Sequence, residues 1–135
     1  MNKSKEYLKK KLSKEEYNVL IEKGTEVPFS GEYLDNKEKG MYTCKICGNE
    51  LFSSDTKFDS GTGWPSFSDF TKSSSVKLKD DSAHGMNRVE VICGKCGSHL
   101  GHVFDDNSTH GDSGKRYCIN SVCLNFRRKN GKFKN

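Results

Sequence analysis

No stretch of about 18 consecutive apolar residues occurs in the 135-residue chain, which excludes a membrane-spanning helix. The opening residues Met1 to Lys9 lack the apolar centre of a secretory signal, so a soluble, cytoplasmic protein is expected. Apolar residues are also scarce. At 32% hydrophobic and a mean hydropathy of -0.84, a single domain of this length has a thin core that a bound metal would help to hold. A uniformly basic surface is lacking too, despite the net charge of +5. Residues 1 to 12 carry five Lys and one Glu, residues 127 to 135 carry five Lys or Arg and no acid, and the segment between them is net acidic. The organisation read from this is a basic N-terminal tail (1–12), one domain (13–126) and a basic C-terminal tail (127–135). Solvated, frayed ends account for such tails. The aromatics are not interleaved with the basic runs as base stacking prefers, so neither nucleic acid nor a membrane is the expected partner.

What the chain does have is six cysteines, four of them in two matching settings: Cys44-Lys-Ile-Cys47-Gly48 and Cys93-Gly-Lys-Cys96-Gly97. A Cys-x-x-Cys spacing lets both sulfurs reach one ion, and the trailing glycine permits a tight turn. In a reducing compartment two such pairs favour metal over disulfides. Four thiolates complete a tetrahedral shell with no position open for substrate, so Cys44, Cys47, Cys93 and Cys96 are expected to bind one structural Zn2+ per chain. Chemistry must then lie elsewhere, and Cys118 and Cys123 remain.

Ser13-Lys-Glu-Glu16 reads as a capping box that opens a helix over 14–23, with Gly24 as its stop. After Gly40 the pattern becomes short apolar or alternating pieces: Met41 to Cys44, Glu50 to Phe52, Val76 to Leu78, Arg88 to Cys93, His99 to Phe104 and Arg116 to Phe126. The expected fold is mainly β, two antiparallel sheets forming a small twisted sandwich or open barrel, with a short N-terminal helix. The two Cys-x-x-Cys knuckles are expected to tie two hairpins together at one end of the sheets.

If Arg116 to Phe126 is one extended strand, Arg116, Cys118 and Asn120 share a polar face and Tyr117, Ile119 and Cys123 an apolar one. A guanidinium beside a thiol favours its ionised, nucleophilic form; the alternative is a buried structural cysteine. A Cys118 to Cys123 disulfide is disfavoured, because five strand residues span roughly 16 Å against the Cα separation of at most about 7 Å that a disulfide tolerates. His99-Leu-Gly-His102, followed by Asp105 and Asp106, offers imidazoles for proton transfer and carboxylates to fix a tautomer; metal ligation is the alternative. Trp64, the single tryptophan, lies in a glycine-rich turn before Pro65, where a flat indole can wall an apolar pocket or simply fill the core.

Gly61-Thr-Gly-Trp-Pro-Ser-Phe67, Ser82-Ala-His-Gly-Met86, Arg88-Val-Glu-Val91, His99-Leu-Gly-His-Val-Phe-Asp105 and Arg116-Tyr-Cys-Ile-Asn-Ser121, in this order and with both Cys-x-x-Cys pairs, resemble the methionine-R-sulfoxide reductase B family. The resemblance covers about residue 14 to residue 126. It implies an Mss4-like fold with zinc remote from the active site, and reduction of the R epimer of methionine sulfoxide, free or in oxidised proteins. By position it implies Cys118 as nucleophile, His99 and His102 acting on the sulfoxide oxygen and its proton, and Arg116, Asn120 and Asp106 completing the polar pocket. Trp64, Phe67 and Thr62 are the implied substrate-binding residues. Many members of the family have a second cysteine where this chain has Thr62, so thioredoxin or a smaller external thiol is the expected reductant. Two rival readings are a noncatalytic zinc-ribbon-like module that binds nucleic acid or protein, and a thiol-disulfide sensor using the Cys-x-x-Cys pairs. The first leaves the Arg-Cys-Asn face and paired histidines unexplained; zinc at the four thiols would remove the second.

Overall fold

A computed structural model describes residues 10–22, 24–59, 61–81, 88–105 and 115–128. Helix α1 (Lys14–Leu20) opens on the expected capping box: Ser13 Oγ accepts from the Glu16 N–H while Glu16 Oε1 accepts from the Ser13 N–H. The helix stops short of residue 23. Glu22 N–H reaches Tyr17 O and Gly24 N–H reaches Asn18 O, so the four-residue ladder gives way to wider closing bonds. Val19 and Leu20 are buried against the rest of the core.

Nine strands follow among the described residues: β1 (Gly40–Cys44), β2 (Glu50–Ser53), β3 (Lys57–Phe58), β4 (Ser66–Phe67), β5 (Val76–Asp81), β6 (Arg88–Cys93), β7 (His99–Asp105), β8 (Lys115–Ile119) and β9 (Leu124–Arg128). They form a three-stranded sheet, β2-β1-β9, and a six-stranded sheet, β3-β4-β8-β7-β6-β5. The mainly β fold of two antiparallel sheets with a short helix before them is therefore as expected. Aromatic rings join the sheets. Phe52 stacks on Phe67 with centroids 4.5 Å apart, Tyr42 meets Phe67 edge-on at 5.2 Å, and Phe52 contacts Tyr117 at 5.8 Å. Burial pushes the Tyr42 phenol up to about 12, and Asn36 Nδ2 donates to its oxygen at 2.8 Å.

The expected strand from Arg116 to Phe126 is two strands in different sheets, separated by a 3-10 turn at Ser121–Cys123. No Gly or Pro marks the break, and it is held by tertiary bonds instead. Tyr33 N–H donates to Ser121 Oγ and Val122 N–H donates to Glu26 Oε1, while Cys123 N–H closes the turn locally on Asn120 O. The strand-length argument against a Cys118–Cys123 disulfide therefore does not apply. Both thiols are nonetheless free of disulfides, and Cys123 is fully buried with its Sγ on the His99 carbonyl. Arg127 and Arg128, counted with the basic C-terminal tail from sequence, lie in β9 and pair with Glu50 and Glu38. No helix among the described residues is long and apolar enough to cross a membrane.

Candidate active site

Alternation along β8 turns Tyr117 and Ile119 into the core and Arg116 and Cys118 to the opposite face, as the sequence pattern requires. Strand pairing then surrounds Cys118. His102 lies opposite it on β7 and Ser66 opposite it on β4. Arg116 Nη1 donates to Cys118 Sγ at 2.9 Å, its guanidinium 4.7 Å from the centre of the Phe104 ring. The hydroxyls of Thr62 and Ser66 each stand 3.7 Å from the sulfur. A cavity of about 160 Å³ opens onto this group, walled by Thr62, Trp64, His102, Phe104, Arg116, Cys118 and Asn120, with Thr25, Arg88 and Gly101 completing it. Depressions of about 280 Å³ and 300 Å³ elsewhere on the surface contain no thiol or imidazole.

His99 and His102 are three residues apart and on a regular strand would face opposite sides. The register slips where β6 meets β7: the single step from Val91 to Ile92 opposes the double step from Gly101 to His99. This bulge restores parity, so Leu100 and Val103 both enter the core and the two imidazoles share the other face, ring centroids 5.4 Å apart. Of the two, His102 alone lines the cavity. His99 is 3% exposed, with Nδ1 bonded to Glu90 Oε2 at 2.8 Å. With Glu90 ionised, that bond places the ring proton on Nδ1 and fixes the tautomer. The sequence pattern offers Asp105 and Asp106 for this task, yet the carboxylate comes from the neighbouring strand.

Two more expectations need correction or reassignment. Phe67 does not line the cavity: on β4, Ser66 faces Cys118, so alternation sends Phe67 into the aromatic core, where it is fully buried. Asn120 lines the cavity, but its amide is engaged with backbone, Nδ2 donating to Leu100 O and Oδ1 accepting from the Glu26 N–H. It braces the site more than it faces substrate. Asp106 and the segment 82–86 lie outside the described residues.

Glu26 carries no signal in the sequence, yet it joins three parts of the site. Its N–H donates to Asn120 Oδ1, its carbonyl accepts from Trp64 Nε1 at 3.1 Å, and its Oε1 accepts from the Val122 N–H at 3.0 Å. Oε2 is buried without a hydrogen bond among the described residues. Burial pushes the carboxyl above its ordinary 4.5. The native state therefore holds this proton to higher pH than the unfolded chain does, and its stabilising contribution is full below 4.5 and lost as pH rises through the native value. Glu26→Gln keeps the acceptor and cannot ionise. Its melting temperature relative to wild type should rise between about pH 4 and pH 7; a constant difference over that range in thermal scans would refute the assignment.

The four remaining cysteines form a second centre. Gly48 and Gly97 both adopt φ of +79°, and their N–H groups donate to Cys44 O and Cys93 O at 2.9 Å, so the two knuckles share one local conformation. One closes the β1–β2 hairpin and the other the β6–β7 hairpin, which belong to different sheets. Cys44 Sγ lies 3.7 Å from Cys96 Sγ and Cys47 Sγ 3.5 Å from Cys93 Sγ, too far for disulfides, and all four sulfurs are within 4.8 Å of one another. Such a group is compatible with a single metal ion, and none of its members lines the Cys118 cavity.

Residues 12–128 match the family model described as the SelR domain. Over 127 residues, 94% of this chain and 88% of the relative, the sequence is 62% identical to the peptide methionine sulfoxide reductase MsrB of Methanosarcina barkeri. The chain belongs to the methionine sulfoxide reductase B family. The MsrB protein of Leptospira interrogans is 51% identical over 129 residues, covering 96% of this chain and 97% of that one. The mouse methionine-R-sulfoxide reductase B3, a mitochondrial protein, is 51% identical over 123 residues, covering 91% of this chain and 48% of its own. Membership in the methionine sulfoxide reductase B family accounts for a thiol, an imidazole and an indole meeting in one small cavity, and it displaces the noncatalytic reading.

Proposed function

We infer that this enzyme reduces the R epimer of methionine sulfoxide, free or within oxidised proteins, to methionine. One observation carries the reading: the Cys118 sulfur shares a cavity with His102 and Trp64 in a chain of this family. Sulfoxide sulfur is a poor electrophile until its oxygen is protonated or hydrogen-bonded. His102 supplies that proton, with His99 and Glu90 behind it. Arg116 holds negative charge on Cys118. Trp64 receives the methyl group, so that one configuration at sulfur presents its oxygen to the imidazole and the other does not. The Cys118 thiolate attacks the sulfoxide sulfur as a proton enters on its oxygen, forming a sulfur–sulfur bond; the hydroxyl then passes to the Cys118 sulfur as the methionine sulfur loses its bonds to oxygen and to Cys118. Methionine leaves, two electrons reduced, and Cys118 carries the oxygen as a sulfenic acid. Two thiols of an external reductant then return Cys118 to thiol, releasing water and forming a disulfide between themselves. Thioredoxin in a reducing compartment such as the cytoplasm fits this step, since Thr62 provides no second sulfur and Cys123 is enclosed.

We assign the four-cysteine centre to one zinc ion with a structural role. A tetrahedral ion with Zn–S bonds of about 2.3 Å requires sulfurs about 3.8 Å apart, and the observed 3.5 and 3.7 Å come close to this. Four thiolates leave no open position, so zinc supplies a crosslink between hairpins and takes no part in the reaction.

An assay on resolved R and S methionine sulfoxide, with dithiothreitol as reductant, tests the function. Turnover of R alone is expected. Consumption of S at a comparable rate would remove the stereochemical role given to Trp64.

A further inference from the structure

Val27 and Phe29, at 68% and 69% exposure, are two of the three large apolar side chains that stand in solvent among the described residues. They flank Pro28 in a turn closed by the Ser30 N–H on Val27 O. Pro28 occupies the second position of this turn and Phe29 the third, where φ is +66°. A proline followed by a positive φ is the arrangement that normally takes glycine third. Phe29 is the one non-glycine residue with positive φ among those described. A bulky ring held in a strained conformation and left exposed calls for a function.

The turn is fastened to the rim of the Cys118 cavity. Phe29 N–H donates to Gly63 O at 2.7 Å, and a Cβ on Gly63 would lie 2.7 Å from Pro28 Cβ and 3.0 Å from the Phe29 ring. Gly63 stands between Thr62 and Trp64, both in the cavity wall. One residue before the turn, the Glu26 carbonyl holds the indole. The exposed ring therefore stands against Gly63, the chain neighbour of both Thr62 and Trp64 in the cavity wall.

We propose that Val27 and Phe29 form an apolar ledge for the polypeptide around an oxidised methionine, gripping an apolar side chain next to the sulfoxide in an unfolded segment. The proposal rests on the reductase reading above. A methionine side chain that enters the cavity brings its neighbours to the rim, and apolar residues there lose water-exposed area against the ring. Free methionine sulfoxide has no neighbours and gains nothing from the ledge. The site thereby favours unfolded, oxidised protein over the free amino acid.

Phe29→Gly tests this cleanly, because glycine suits the backbone and removes the ring. Three R-sulfoxide substrates are compared with dithiothreitol as reductant: N-acetyl-methionine sulfoxide amide, a peptide with leucine on both sides, and one with serine on both sides. For the leucine peptide, kcat/KM should fall about 5- to 30-fold through KM, with the other two unchanged and the melting temperature the same or higher. Val27→Ser should act in the same direction. Equal loss on all three substrates, or no loss on the leucine peptide, overturns the ledge. A loss seen only when thioredoxin replaces dithiothreitol overturns it in favour of reductant docking. Wild type inactive on every R substrate would instead refute the reductase reading itself.

Discussion

Cys118→Ser should abolish turnover of the R sulfoxide while leaving the melting curve close to that of wild type. A serine hydroxyl cannot accept the oxygen and the two oxidising equivalents that the reaction delivers to sulfur, and Cys118 lies on the cavity face of β8, outside the aromatic core. The neighbouring positions extend the test. After one turnover without reductant, wild-type protein should gain the mass of one oxygen, trappable as a sulfenic acid on Cys118. In Thr62→Cys, a sulfur replaces a hydroxyl that already stands 3.7 Å from Sγ. The product in that variant should be a disulfide between the introduced thiol and Cys118, lacking two hydrogens. Full activity in Cys118→Ser would remove the mechanism. An intramolecular disulfide of Cys118 in wild type would remove the external-thiol step.

Stripping the metal should unfold the protein. Structural zinc contributes about 10–16 kcal/mol in small domains, comparable with the roughly 5–15 kcal/mol of total stability usual for a protein. This chain is poor in apolar residues, and the four cysteines join hairpins that belong to different sheets. Cys93→Ser, or exhaustive chelation, should collapse the melting transition, with activity disappearing only as the fold does. Metal-free protein that kept both its transition and its activity would contradict the structural role.

The parts of this site that are legible in the sequence are those whose cause is local. A Cys-x-x-Cys-Gly knuckle contains its own turn, and alternation along β8 separates Cys118 from Tyr117 without help from other elements. Phe67 escapes such reasoning because proximity to Trp64 in the sequence is not proximity in the pocket. Strand β4 is only two residues long, and its alternation gives Ser66 to the thiol and Phe67 to the core. Glu26 is invisible for a different reason. Its bond to Asn120 spans 94 residues, and nothing in Thr25-Glu-Val27 signals it. Glu90 is only nine residues from His99, but its pairing with that imidazole depends on the register slip in the β6–β7 hairpin, which no residue type announces. The break after Ile119 has no Gly or Pro, and Asn120-Ser121 is a weak turn signal inside an apolar run that becomes decisive only through the bonds from Tyr33 and Glu26.

The extra residue in β7 ties the chain's length to its chemistry. Ironing out the slip opposite Ile92 while keeping three residues from His99 to His102 would restore an even pleat, in which positions three apart lie on opposite sides of the strand. One imidazole would then be turned inward and an aliphatic side chain presented to the cavity. The shared face thus depends on the odd spacing and the slip together, so a change in one is tolerated only with the matching change in the other.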